Sequence, residues 1–372
     1  FDNKNEFQIV VNMPEGTTLE TTDDVVRSFE RYLANMPEVR DYQSYVGTNS
    51  PMDFNGMVRH YYLREGSNVA DIRINLAHKK KRVQQSHSII LRIRNDLHKI
   101  AERHDARIQV VEAPPGPPVI STITAEVYGE PDTAYSELIS GAKTVMDAMH
   151  AEKDVVDIDF SGEAERDRFE FVVDKEKAAL HGITTKQVVN TLYTAISGSR
   201  ASGAHMPRER NPMAVRVVLP RAERSSLEEL GRIPVYGPDG SIMHLSDIGS
   251  FVSVPVEQPI YHKNLKPVVY VFAEMAGRSP VDAIFGLKGR VNVEDDYILP
   301  EGVRTYWQGE GEWQITVDVF RDLGMAFAIA MLGIYIILVF EVKSFRMPLV
   351  IMAAIPLTAI GIMPGFAVLN VI

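Results

Sequence analysis

The last fifty residues constrain this chain more than anything before them. From Leu323 to Phe340 run 18 consecutive uncharged residues, LGMAFAIAMLGIYIILVF, and from Met347 to Ile372 run 26 more. At the helical rise the first run spans roughly 27 Å, close to the thickness of a bilayer's hydrocarbon core. One such run would also suit the core helix of a soluble protein. Two in tandem, joined by the short polar stretch FEVKSFRMP (Phe340 to Pro348), specify a helical hairpin across a membrane. In that hinge Lys343 and Arg346 outnumber Glu341, and short loops with such an excess stay in the cytoplasm. The large region before Leu323 is then expected on the far side, which in a bacterium is the periplasm or the cell exterior.

That preceding region reads as water-soluble. With 24% charged residues in 372, the chain has enough length for two or three domains, each with its own core. Phe1 is not a start methionine and no targeting signal is visible, so the expectation is a piece of a longer polypeptide. A net charge of -10 argues against nucleic acid as a partner, and KKKR (Lys79 to Arg82) reads as a solvated loop. The absence of cysteine fits an oxidising compartment without a disulfide framework.

Cut at its turn signals, the region before Leu323 shows a recurring unit. The first copy, EFQIVVNMPEGTTLETTDDVVRSFERYLANMPEVRDYQSYV, reads strand, Pro-Gly turn, helix, strand, with Leu19, Val25, Val26, Phe29, Leu33 and Met36 on one helical stripe. The second, STITAEVYGEPDTAYSELISGAKTVMDAMHAEKDVVDIDF, repeats the order, with Leu138, Ala142, Val145, Met146 and Met149 as its stripe. After the first copy come VADIRINL, a helix with Ile89, Ile93, Leu97 and Ile100 aligned, and ARIQVVEA. After the second come RFEFVVD, a helix from Thr185 to Ala195, then VVYVFAEMAG, a helix from Pro280, and GVRTYWQG. The class is α+β: tandem ferredoxin-like, split βαβ units rather than a doubly wound parallel sheet. The Pro-rich joint APPGPPV (Ala113 to Val119) separates them as a stiff linker. Short strands and turns between about Gly198 and Tyr261 read as a β-rich insertion. The expected boundaries are 1–117 for the first unit, 118–197 with 262–312 for the second, 198–261 for the insertion, and membrane helices at 320–341 and 347–372.

No enzyme signature is present. PEGTT and SGSRASG lack the Gly-Lys-Ser/Thr of a phosphate-cradling loop, and there is no G-x-S-x-G elbow. His78, His87, His98 and His104 lie in or near one amphipathic helix without zinc-binding spacing, and read as solvated. Among the 15 methionines, Met52 and Met57 in the loop TNSPMDFNGM form the pair best suited to thioether ligation of a soft metal; most of the others read as core or membrane residues. No cofactor is called for. In FQIVVN and ARIQVVEA a half-polar face, Gln8 and Val10 with Gln109, Val111 and Ala113, lies opposite an apolar one; it reads either as exposed surface or as the wall of a ligand cleft.

Together, NMPEGTTLETTDDV, PPGPPVISTITAEVYGEPD, VDKEKAALHGITTKQVVNTL and FEVKSFRMPLVIMAAIPLTAIG resemble the resistance-nodulation-division exporters, in the right order over essentially the whole chain. The resemblance implies the second large periplasmic loop and the two following membrane helices of such a pump. It implies a proton-driven permease of the bacterial inner membrane, with residues 1 to about 319 in the periplasm. Its partners would be further permease subunits in a homotrimer or heterotrimer, a periplasmic adaptor, an outer-membrane channel, the lipid bilayer and small amphiphilic substrates, with 198–261 as the docking module. Carried over by residue, the substrate cleft would be walled by Gln8, Val10, Tyr45, the loop with Met52, Phe54 and Met57, Arg73, Gln109, Val111 and Ala113. Phenylalanines are scarce on these segments, so Arg73 and the glutamines would suit an amphiphile with a polar or anionic head. Two alternatives stand beside this reading: heavy-metal efflux of the copper or silver type through Met52 and Met57, and a non-transporting, membrane-anchored periplasmic scaffold.

Overall fold

A computed structural model describes residues 3–112, 119–307 and 309–369. The first ferredoxin-like unit follows the chain as β1 (Glu6–Asn12), α1 (Leu19–Ala34), β2 (Val39–Thr48), a short α2 (Phe54–Val58), β3 (Glu65–Leu76), α3 (Ser86–Glu102) and β4 (Arg107–Glu112). Its four strands lie in the order β2-β3-β1-β4, all neighbours antiparallel. Thr18 caps α1 by accepting from the Thr21 amide, and the stripe Val25, Val26, Phe29 and Leu33 is fully buried. That stripe and Ile89, Ile93 and Leu97 of α3 pack on Phe7, Ile9, Val11, Ile72 and Ile74 to form one core. Leu19, at the first helical position, falls outside it and is exposed.

The second unit begins with β5 (Ile123–Gly129), α4 (Tyr135–Ala151) and β6 (Val155–Phe160). The chain then leaves for an insertion, the compact unit Ala164–Gln258. It holds β7 (Asp167–Val173), α5 (Lys175–Leu180), α6 (Thr185–Ile196), the hairpin β8 (Ser199–Ala204) and β9 (Met213–Val217), α7 (Leu227–Gly231), the hairpin β10 (Pro234–Tyr236) and β11 (Ile242–His244), α8 (Leu245–Ile248) and β12 (Gly249–Pro255). Its separate core contains Ala178, Ile183, Val188, Val235, Leu245 and Ile248. This corrects the expected boundaries, because RFEFVVD and the helix after it belong to the insertion and not to the second ferredoxin-like unit. The alternation of a strand does not reveal which strand it will pair with, and β7 pairs along all seven residues with β12.

On its return the chain supplies β13 (His262–Lys263), β14 (Lys266–Met275), α9 (Pro280–Arg290) and β15 (Val303–Tyr306). Strands β6, β14, β5 and β15 lie side by side and antiparallel, repeating the ferredoxin-like order, with α4 and α9 packed on the face of Ile123, Ala125, Val127, Val269 and Val271. The final elements are α10 (Glu312–Val342), 31 residues without a break, and a second apolar helical span over Met347–Phe366. Helix α10 starts eight residues before the expected 320, and residues 370–372 of the second span lie outside those described. Along α10, Phe320, Leu323, Phe327, Ile329, Ile337 and Phe340 are exposed. A helix this apolar that buries almost none of itself against protein has the length and surface of a bilayer-crossing element.

Candidate functional site: the half-polar sheet face and the seam beside it

The sheet of the first unit brings most of the expected wall residues onto one face, opposite the helices. Cross-strand pairing builds two rows, Gln43–Arg73–Gln8–Val111 and Tyr45–Asp71–Val10–Gln109. Ala113 lies outside the described residues.

This face is not an open wall. The segment after β2 folds back over it, held by three polar anchors: the Ser50 amide donates to Asp71 Oδ2 at 2.8 Å, Arg73 pairs with Asp53, and the Tyr61 hydroxyl donates to Gln109 at 3.1 Å. Asp53 also caps α2 by accepting from the Gly56 amide at 2.6 Å. Tyr61 packs directly on Val10 and Val111, leaving all three buried, and Gln8 is buried as well. Next to Gln8 and Arg73 there remains a crevice of about 50 Å³. Liquid water occupies about 30 Å³ per molecule, so this is room for a solvent molecule or two and no amphiphile. Gln8, Val10 and Val111 are therefore corrected from cleft wall to covered core, and Arg73 from ligand anchor to partner of Asp53. The exposed surface is the covering segment itself, where Met52 and Phe54 are 63% and 64% exposed and Met57, Tyr62 and Leu63 join them. Tyr45 is half-buried and donates to Gln43 at 3.1 Å.

Beside this face lies a charged seam that sequence reasoning missed. The edge strands β4 and β6 of the two ferredoxin-like sheets come side by side, and side chains rather than a backbone ladder join them. Asp157 of β6 has a positive φ of 52°, tolerable for aspartate, and its carboxylate accepts from Arg94 Nη1 at 2.5 Å, pairs with His98 Nε2 at 3.0 Å and takes the Val110 amide of β4 at 2.8 Å. Asp159 accepts from Arg107 at 2.6 Å and Asn12 at 3.0 Å, and Glu274 of β14 accepts from Arg59 at 2.6 Å. At these contacts every cation belongs to the first unit and every anion to the second. His98 is thus a seam residue, correcting its solvated reading; His87 likewise reaches Glu112 at 2.8 Å.

The two aspartates behave differently. Burial disfavours charge on Asp157, yet His98 and Arg94 hold it below the usual carboxylate range. For Asp159 burial wins over Arg107, the Phe160 amide and Asn12, and its pKa is raised. Burial also pushes the Tyr61 phenol up. The signal for the seam was visible only as VVDIDF, whose two aspartates on an otherwise apolar strand required partners. Among the described residues no three His, Cys, Asp or Glu side chains come together as a metal site.

An uncharacterized transporter of Haemophilus influenzae is 24% identical over 377 residues, covering 99% of this chain and 33% of the relative. The nickel and cobalt resistance protein CnrA of Cupriavidus metallidurans is 25% identical over 254 residues, 65% of this chain and 22% of that protein. The chain thus spans a third or less of the length of these relatives. Among solved structures, a heavy metal efflux pump superposes with a TM-score of 0.75 over 98% of this chain and 36% of its own, at 15% identity, a likeness of fold. The sequence profile of the AcrB/AcrD/AcrF family matches residues 2–371, nearly end to end, and the chain belongs to that family of resistance-nodulation-division transporters.

Proposed function

We propose that the whole protein exports amphiphilic or hydrophobic compounds, and that this chain supplies two porter subdomains, a docking unit and two membrane helices. It works in the bacterial inner membrane, with residues 1 to about 319 in the periplasm, driven by protons and assembled as a trimer with a periplasmic adaptor and an outer-membrane channel. Membership of a transporter family weighs against the scaffold alternative. The observation that carries the choice of cargo is the exposed surface of Met52, Phe54, Met57, Tyr62 and Leu63, held in place from below by Tyr61 and Asp53. A flexible thioether and aromatic surface adapts to apolar ligands of varied shape. Phe54→Ala is expected to weaken binding of a fluorescent amphiphile to the intact transporter by about 1 kcal/mol, the order of one lost aromatic contact. Unchanged affinity with the fold intact removes Phe54 from the binding surface.

A second reading, heavy-metal efflux, is supported by the names of relatives and structural neighbours, among them nickel, cobalt, zinc and cadmium resistance proteins and a heavy metal efflux pump. Here it rests on the thioethers of Met52 and Met57, which suit copper(I) or silver. Silver binding that disappears in the double variant Met52→Ala, Met57→Ala would establish it; no binding by the parent protein would eliminate it.

A further inference from the structure

The cluster KKKR (Lys79 to Arg82) concentrates positive charge in a chain of net charge -10, and the fold gives it a place that its sequence does not. It follows the end of β3, in the turn that leads into α3. From there the strand ends can be followed to the membrane helix. Asn75 near the end of β3 pairs with Glu6 at the start of β1, and Phe7 pairs with Glu112 at the end of β4. Across the seam Arg107 meets Asp159 and Val110 meets Asp157, so β4 and β6 run in opposite senses and the end of β4 lies by the start of β6. There Val155 pairs with Met275 at the end of β14, and Ala273 pairs with Ile123 at the start of β5. At that same end α10 departs, its Glu312 amide donating to the Thr122 carbonyl at 3.3 Å. The basic turn therefore lies at the end of the paired sheets from which the chain enters the membrane.

The turn is held in shape by its last cation. The Arg82 guanidinium donates to the Ala77 carbonyl at 2.7 Å, the Lys4 carbonyl at 2.9 Å, and the side-chain oxygens of Asn3 and Asn5 at 3.0 and 3.1 Å, all of them neutral acceptors. Asn5 Oδ1 also takes the Lys79 amide at 2.9 Å and Asn3 Oδ1 the Ser86 amide at 3.0 Å, so both flanks of the turn are tied to the segment entering β1. Lys79, Lys80 and Lys81 form one helical turn with exposed side chains, and among the described residues they make no ion pair. Of the acids nearby, Glu38 pairs with Arg92, Asp41 with Arg40 and Glu112 with His87, which leaves Glu6 against three lysines and Arg82. Positive charge is in excess at this end.

Next to the lysines Val83 is completely exposed. Cations interleaved with an apolar side chain are the composition of a segment that rests on a headgroup layer. The distances allow this. From Glu312 to Asp322 α10 advances about 16 Å before its uncharged run opens at Leu323. The headgroup layer takes up roughly 5–8 Å of that. A gap on the order of 10 Å is left, comparable to a screening length of about 8 Å before the length of a lysine side chain is added.

We propose that Lys79, Lys80 and Lys81 are a membrane-surface contact that takes the anionic headgroups of phospholipids in the leaflet where α10 enters, with Val83 at the interface. An ammonium gains from an anionic surface only within about a screening length of it, so the position of the turn matters as much as its charge. An acidic segment of another protein would satisfy the same charges, but the end of the fold on which the turn lies favours lipid. The inference uses α10 as a membrane helix and is independent of the cargo.

The test uses the full-length transporter in nanodiscs, with bimane attached at Val83→Cys and a small fixed fraction of phosphatidylcholine carrying a nitroxide headgroup as quencher. Two bilayers are compared, one of phosphatidylcholine and one rich in phosphatidylglycerol. Quenching is expected to be about two-fold greater in the anionic bilayer, and the difference is expected to vanish at about 1 M salt, where the screening length falls to about 3 Å. It should vanish equally in the triple variant Lys79→Gln, Lys80→Gln, Lys81→Gln. Those side chains are exposed and Arg82 is left in place, so the variant keeps the turn. Equal quenching in the two bilayers overturns the proposal. So does a difference that survives the triple variant, because the lysines would not be its source. Bimane shielded from aqueous iodide in both bilayers yet untouched by the nitroxide lipid overturns it as well, and shows that a protein segment covers the turn.

Discussion

Replacing Asp157 by asparagine changes one oxygen for an NH₂ group at the centre of the seam, and the structure predicts a disproportionate effect. The Asp157 side chain is wholly inaccessible, and the Arg94 beside it is nearly so. Two consequences follow from the distances. Arg94, 2.5 Å from the carboxylate, loses its counter-charge while remaining buried, and breaking a buried pair in this way costs about 3–5 kcal/mol. The amide has one acceptor oxygen where the carboxylate had two, so one of the donors from Arg94, His98 and the Val110 amide loses its partner, a further penalty of about 1–3 kcal/mol that overlaps the first. A total near 3 kcal/mol, at about 1.4 kcal/mol per decade, raises the opening of the β4–β6 seam roughly a hundred-fold. Hydrogen–deuterium exchange over Arg107–Glu112 reads this directly, because the Val110 amide is itself a seam donor. Asp159→Asn is the internal control. Its partner Arg107 is a third exposed and keeps access to solvent when the charge opposite is lost, so the neutral substitute should cost less. If Asp157→Asn leaves exchange over β4 within about three-fold of the parent, or if the two substitutions act equally, the claim that buried charge holds this joint is wrong.

Tyr61 tests the covering of the first sheet. Tyr61→Phe keeps the ring on Val10 and Val111 and loses the hydroxyl's polar contacts, with Gln109 and Arg59, about 1 kcal/mol; Tyr61→Ala should cost about 3 kcal/mol in thermal or denaturant unfolding and make Val10 and Val111 accessible. Equal effects would show that the ring is not the plug. Acid should loosen the seam with a defined sign. Asp157 has a folded pKa below its unfolded value of about 3.9, so its contribution is present above about pH 4 and fades as pH falls through the lower folded value; Asp159, raised by burial, works in the opposite sense. The acid loss of β4 protection should therefore disappear in Asp157→Asn and persist in Asp159→Asn, as a pH series of the same exchange experiment would show.

Membrane hairpin and tandem ferredoxin-like order were readable from residue order alone because both rest on local periodicity. An 18-residue apolar run must span or be buried, and helical stripes such as Val25, Val26, Phe29, Leu33 or Leu138, Ala142, Val145, Met149 bury the same face in any α/β layer. What escaped that reading depends on which distant segments meet. RFEFVVD alternates as well as any strand of the second sheet, but its partner is β12, so it leaves with the insertion. Gln8, Val10 and Val111 were correctly placed on one face from their alternation, yet only the fold lays Tyr61 over them and turns a supposed wall into core. Asp157 and Asp159 are two acids in a strand until Arg94, His98 and Arg107 arrive from about fifty or sixty residues away, and Glu126 is one more strand residue until Lys263 crosses 137 positions to reach it. Hydrophobic pattern is a property of neighbours in sequence and survives being read one residue at a time. Charge pairing and the covering of a sheet face are properties of neighbours in space, and only the tertiary structure decides those.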